Sequence, residues 1–212
     1  MNPRFICYGA RAKPCRKRQR GASLIVSLLM LIVVLLLGIS AAQLALQGEK
    51  ASRNERDRMV AFQAAEAALM DAEMDIEGSP DAAASRSNLF SKDSALGFPA
   101  EGEPGCYAGG GNSHLGLCRR AADGATPVWQ TVDFDEEGGA SVRYGTFTGQ
   151  SFQTGQGPLP ARLPRYVIEL MVYNKQGESA EKISYFYRIT AIGFGPRDTT
   201  QIVLQTFYRK ES

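Results

Sequence analysis

The sequence predicts an α+β fold: one long N-terminal α-helix, transmembrane in its first half and amphipathic in its second, packed on a C-terminal antiparallel β-sheet. Three observations carry this reading. A charge-free apolar run extends from Ala22 to Ala42, a proline-free run of helix formers continues to Glu77, and three alternating β-rich runs close the chain. With 212 residues and 44% hydrophobic content there is room for one ordinary domain plus extensions.

Residues 1–21 read as a basic cytoplasmic leader. They hold seven of the 24 Lys and Arg and no acid, and the first acid in the chain is Glu49. Without them, 17 basic side chains face 22 acidic ones, a net of −5. The sequence pI of 8.3 therefore belongs to the leader. The body is mildly acidic and carries no basic stripe, which sets a nucleic-acid partner aside.

Between Ala22 and Ala42 the only polar side chains are Ser23, Ser27 and Ser40. A helix needs about 20 such residues to cross the roughly 30 Å hydrocarbon layer. The basic flank holds the N-terminus in the cytoplasm, so the rest of the chain faces the periplasm or exterior. An ordinary cleaved signal would have an apolar core of only about 7–15 residues and a small-residue cut site beyond it. Here the run is longer, and "SAAQLALQGEK" continues as helix. The expected division is a transmembrane half over 22–46 and an amphipathic half over 47–79.

The second half is rich in Ala, Glu, Met and Arg. Met59, Phe62, Leu69 and Ile76 fall on one stripe with Ala65 and Ala72 between them, which predicts the buried face. Glu49 and Arg53 form an i, i+4 pair of the favourable orientation, and Gly78-Ser79-Pro80 stops the helix. From Ala22 to Glu77 such a helix is roughly 84 Å long.

Residues 80–212 are expected to form the β-rich head. Most of the 22 glycines lie within 80–160, in "EPGCYAGGGNSHLGLC", "DEEGGAS" and "GTFTGQSFQTGQG". This middle stretch reads as irregular and surface-covering, with a few short strands. "RYVIELMVYN" (165–174), "KISYFYRITAIGF" (182–194) and "TTQIVLQTFYRK" (199–210) then alternate as strands do, and their short polar connections predict an antiparallel meander.

The four cysteines divide by compartment. Cys7 and Cys15 lie in the leader and match no metal motif. Cys106 and Cys118 fall on the oxidising side, where they are expected to pair. Zinc, with His114 inside the loop, is the rival reading, but a fourth ligand is missing. "DFDEEGG" (133–139) echoes the first half of a calcium loop, yet Tyr144 stands where a bidentate glutamate is required. A hairpin tip between "QTVDF" and "ASVRYG" accounts for it better. One histidine and no Ser/His/Asp grouping leave no catalytic constellation. The expectation is no enzyme, no cofactor and no metal.

Several stretches carry a family resemblance. "QRG-ASLIV" before an apolar helix resembles a class III signal, which prepilin peptidase cuts after glycine. "RNERDRMVAFQAAEAALMDAE" (53–73), with Phe62, Ala64, Ala65, Glu66 and Ala67 at its centre, resembles the helix signature of the PilX-type minor pilins of the type IV pilus. "YRITAIGFG" and "IVLQTFYRK" resemble that family's last two strands. The resemblance implies cleavage between Gly21 and Ala22 and N-methylation of Ala22. It implies a type IV pilin-like fold in a Gram-negative cell, with a single-pass inner-membrane form before assembly and a pilus on the surface after it. Implied partners are the major pilin, other minor pilins, prepilin peptidase, the inner-membrane assembly platform and membrane lipid.

One position departs from that pattern. Pilin-like subunits usually carry glutamate fifth after the cut, where it meets a neighbour's N-terminal amine; here Val26 stands there. A subunit with nothing ahead of it meets no amine, so valine suits the tip, whereas drift at a tolerant site is the plainer reading. The helix-breaking proline is also absent, leaving Gly38 and Gly48 as candidates for local melting. The implied role is a minor pilin that primes assembly, near the tip with other minor pilins. A surface-binding tip protein and a type II secretion pseudopilin remain as alternatives.

Overall fold

The structure, a computed structural model, describes residues 22–103, 105–173 and 183–210. Gly21, Cys7, Cys15 and the connection "KQGESAE" lie outside the described residues. The chain divides into two compact units, Met1–Lys50 and Ala51–Ser212.

The described part of the first unit is the opening stretch of α1 (Ala22–Glu77), and every one of its side chains is exposed. α1 is helical through Gly38 and Gly48 as well. An isolated glycine costs a helix only about 1 kcal/mol, and no proline is present to remove a hydrogen bond.

The second unit is an α+β head. Its sheet contains β1 (Gly105–Cys106), β2 (Leu117–Arg119), β3 (Val142–Arg143), β4 (Arg165–Tyr173), β5 (Ser184–Phe194) and β6 (Gln201–Tyr208), and α2 (Val128–Thr131) is a single helical turn. β4, β5 and β6 form the antiparallel meander that their alternation predicts, with Ile168 opposite Ile189 and Thr206 beyond it. β2 then adds to β4 in parallel, through Leu117 opposite Ile168, so the whole sheet is mixed. β3 pairs with β4 rather than with "QTVDF", part of which is the α2 turn, so the expected hairpin over 133–139 is not formed.

Residues 57–76 of α1 pack on one face of the sheet, and the expected stripe is buried only in part: Ala65, Ala72, Ile76 and, half-buried, Leu69 face the sheet, whereas Met59 and Phe62 do not. Met59 is 50% exposed and Phe62 36%, while Ala61, Ala64, Ala65, Ala68, Ala72 and Ile76 are fully buried. The reason is the closeness of the contact. A Cβ built on Gly193 of β5 would lie 2.1 Å from the Ala61 carbonyl oxygen and 2.3 Å from the Ala65 nitrogen. Helix and strand meet backbone to backbone, so only methyl side chains fit between them.

The middle segment also differs from expectation. It is irregular, but it supplies core as well as cover. Phe90, Phe98, Leu115, Leu117, Val142 and Phe147 join Ile76, Tyr166, Ile168, Tyr187 and Ile189 in the main cluster. Phe90, Phe98 and Tyr187 pack ring against ring with centroids 5.4–6.0 Å apart. On the other face of β4, Val167 packs against Cys118 and Val128. A segment with so little regular structure holds its place by inserting isolated large side chains, each worth about 1.5–3 kcal/mol when buried.

Candidate functional site

The candidate site for assembly is the apolar part of α1, described from Ala22 onward. From there to Gly48 no side chain is charged. Ser27 Oγ donates to the Leu24 carbonyl and Ser40 Oγ to the Leu36 carbonyl, both at 2.9 Å. These hydroxyls are satisfied within the helix and need no external partner, as an apolar surrounding demands. Val26 is 57% exposed among Leu24, Ile25, Leu28 and Leu29, and no carboxylate stands near it in sequence. By length and composition this is the one described helix able to cross a membrane.

The central helix signature faces two ways. Ala64 and Ala65 are buried against the sheet, Ala67 is half-buried, and Phe62 and Glu66 are exposed. Its alanines hold the head, while Phe62 and Glu66 lie on the free side of the helix.

Sequence reasoning missed three aspartates on the buried face of α1: Asp57, Asp71 and Asp75. Asp75 accepts from Arg86 Nε at 3.0 Å, from Arg86 Nη2 at 2.6 Å and from the Tyr166 hydroxyl at 2.9 Å. Arg86 Nη1 also donates to the carbonyls of Ser113 and Leu115, and its guanidinium lies 3.6 Å from the Phe147 ring centre. Burial, reinforced by the nearby Asp75 charge, holds the Tyr166 hydroxyl far above its usual pKa, so it remains a donor. One buried ion pair thus fastens helix, middle segment and β4 together.

Asp71 makes a second clasp. It accepts from the Gly145 N–H at 2.8 Å and from the Thr148 hydroxyl. Gly145 has φ of +79°, and a Cβ there would lie 2.0 Å from the Gln150 carbonyl oxygen, so this turn requires glycine. Burial raises the Asp71 carboxyl above its ordinary 3.8, with Asp75 adding to the effect and the two hydrogen bonds opposing it. Asp57 makes the third clasp, pairing with Arg197 beyond the end of β5, Nε to Oδ2 at 3.0 Å.

Cys106 and Cys118 are joined by a disulfide, directly opposed on the β1–β2 ladder. His114, inside that loop, is half-buried, with Nδ1 3.2 Å from the Ser113 hydroxyl and its ring against Tyr107. In "DFDEEGG" two of the four carboxylates are taken up by arginines. Asp135 pairs with Arg162 at 2.8 Å, and Glu137 pairs with Arg143 and, at 2.9 Å, with Arg165. The Arg143 contact, ahead of the other charges, lowers the Glu137 pKa. Among the described residues no three His, Cys, Asp or Glu side chains converge as a metal site would need.

Comparison with known families gives two matches. Residues 20–69 match the PilX N-terminal model, and residues 114–210 match the model of the type IV pilus assembly protein PilX C-terminal region. No curated protein and no solved structure matches the chain. The two matched stretches hold the apolar helix with most of its alanine face and the whole β2–β6 sheet. The chain belongs to the PilX family of type IV pilus assembly proteins, with α1 as its membrane-anchoring element.

Proposed function

We propose that the chain is a minor pilin: a membrane-anchored structural subunit that primes pilus assembly and sits in a tip complex with other minor pilins. The observation that carries this reading is the uncharged surface of α1 from Ala22 to Gly48, exposed on every side. At about 25 cal/mol per Å² such a surface demands cover, first from lipid and then from the apolar helices of neighbouring subunits. The leader 1–21 is removed by prepilin peptidase between Gly21 and Ala22, and Ala22 is N-methylated. The head then faces the periplasm, with the inner-membrane platform and the major pilin as further partners. Val26 supports the tip position, since it offers no carboxylate to a neighbour's amine.

An adhesive role would use the middle segment 80–160 as a contact face. That segment places Arg86, Phe90, Phe98 and Phe147 in the interior, which favours a structural role for it. The test has two parts. The mature protein recovered from membranes should begin at Ala22 by mass spectrometry; a start near residue 42 would mean an ordinary signal peptide and would sink the reading. Deletion of the chain should abolish or thin pili. Retained exoproteins with normal pili would point to a secretion pseudopilin, and lost adhesion with normal pili to an adhesin.

A further inference from the structure

A cleft of about 430 Å³ opens beside the end of β2, with Glu101, Arg119, Arg120, Asp123, Leu170 and Val172 around it. Its two arginines are differently placed. Arg120 pairs with Asp123, and both side chains are exposed. Arg119 is the last residue of β2, and its side chain is 15% exposed. Among the described residues it has no hydrogen bond, and its one ionic neighbour is Glu101, 3.9 Å away on a side chain that is 93% exposed. A pair so long and so open to water contributes little. A guanidinium carries five N–H donors in a fixed fork, so Arg119 is a mostly covered cation whose hydrogen-bonding capacity is unused.

The backbone adds a donor to the same cleft. The Ile168 N–H donates to the Gly116 carbonyl at 2.9 Å, so alternate residues of β4, Leu170 and Val172 among them, turn their N–H and C=O towards β2. Tyr185, opposite Val172 on β5, keeps the same phase, since its N–H goes to the Lys92 carbonyl at 2.7 Å and not to β4. β2 stops at Arg119, opposite Leu170, and so has no residue to meet Val172. Among the described residues nothing bonds to the Val172 amide. Leu170, Val172, Ala121 and Ala122 supply the apolar part of the wall. One cation, one backbone donor and a short apolar wall, in a cleft of this size, fit a small ligand.

We propose that this cleft binds a carboxylate carried on a short apolar body, with the charge held by Arg119 and the Val172 N–H and the body against Leu170 and Val172. A carboxylate is the planar acceptor that a guanidinium meets with two parallel hydrogen bonds. A phosphate fits less well, because its further charged oxygens would face the apolar wall and the carboxylates of Glu101 and Asp123. The C-terminus of a peptide and a free aliphatic acid offer the same chemistry. The site lies wholly within the head and stands independently of the pilus reading.

Titrating the full chain, purified in detergent, with isovalerate and with acetyl-Gly-Gly-Val tests this, read through the amide resonances of Leu170 and Val172. The Val172 amide should shift to saturation, and isovaleramide should not bind. Arg119→Gln should weaken binding by about tenfold or more, as loss of a charged hydrogen-bond partner implies. Glu101→Gln removes the competing carboxylate and should tighten binding roughly twofold to fivefold. It leaves Arg119 in place, so it tests the site even where Arg119→Gln fails to fold. Tighter binding of the tripeptide than of isovalerate, lost in the tripeptide amide, makes a peptide C-terminus the source of the carboxylate, whereas equal binding makes it a small acid. The proposal is overturned if neither acid moves the Val172 amide at roughly 10 mM, or if isovaleramide binds as tightly as isovalerate. Unchanged binding in folded Arg119→Gln, or no tightening in Glu101→Gln, overturns it as well.

Discussion

Removing the Arg86 guanidinium would leave the Asp75 carboxylate with no water and no countercharge, since the two side chains are 2% and 0% exposed. Breaking a buried pair from one side costs about 3–5 kcal/mol, mostly as the stranded charge. Arg86→Leu is therefore expected to lower the unfolding free energy by that amount in a denaturant titration. Adding Asp75→Leu should cost less than the sum of the single changes, because it removes the stranded charge. Asp71 behaves differently. Its folded pKa lies above the unfolded 3.8, so its ionised form is the disfavoured one in the folded state. Its contribution to stability is complete below about pH 3.8 and is lost as pH rises through the folded value. Asp71→Asn removes that dependence. The melting temperature of the variant relative to wild type should accordingly fall as pH drops from 7 towards 4. A pH-independent difference would show that Asp71 does not titrate in this range.

At the scale of elements, the β1–β2 hairpin is as short as the β3–β4 pairing, two residue pairs each, and one of its two pairs is the Cys106–Cys118 disulfide. A loop of this size constrains the unfolded chain by about 3 kcal/mol. Cys118→Ser should lower head stability by that order, and protein recovered from the exported side should carry no alkylatable thiol at either position. Free thiols there would refute the pairing in the cell. The meander was legible because β4, β5 and β6 alternate with period two and have short polar connections. The end of α1 was legible because Gly78-Ser79-Pro80 cannot continue a helix. The buried face of α1 was legible only in part, at Ala65, Leu69, Ala72 and Ile76. Met59 and Phe62 look like core by size, but Gly193 lets the strand approach so closely that only alanine fits. The signal that could have found that face was the run Asp57, Ala61, Ala64, Ala68, Asp71 and Asp75, which repeats at helical spacing and mixes methyls with carboxylates. The partners of those carboxylates, at Arg86, Gly145, Thr148, Tyr166 and Arg197, are separated from them by 11 to 140 residues. No local pattern announces contacts of that range. The isolated Phe90, Phe98 and Phe147 in a glycine-rich stretch were a readable hint that the middle segment enters the core.

At the scale of the whole molecule, the unanswered chemical demand is that of α1 in the assembled pilus. A carboxylate in an apolar bundle is stable only beside a countercharge, which in pilin-like subunits is the N-terminal amine of a neighbour. Val26 removes that demand and with it the ability to receive such an amine. At the tip nothing lies ahead, and Val26→Glu would place an unpaired carboxylate in the bilayer or bundle. Insertion scales put such a group at roughly 2.5–3.5 kcal/mol at the membrane centre and less near the interface, where position 26 would lie under the proposed processing at Ala22. The expected outcome at the tip is therefore that Val26→Glu leaves the amount of this chain per pilus unchanged or lowers it. Within the shaft the same substitution would restore a missing partner, and incorporation would rise. Quantifying the chain in sheared pili, wild type against Val26→Glu and normalised to major pilin, separates the two. A clear rise would defeat the tip position and leave membership of the family untouched, because the family rests on the matched helix and sheet and not on residue 26 alone.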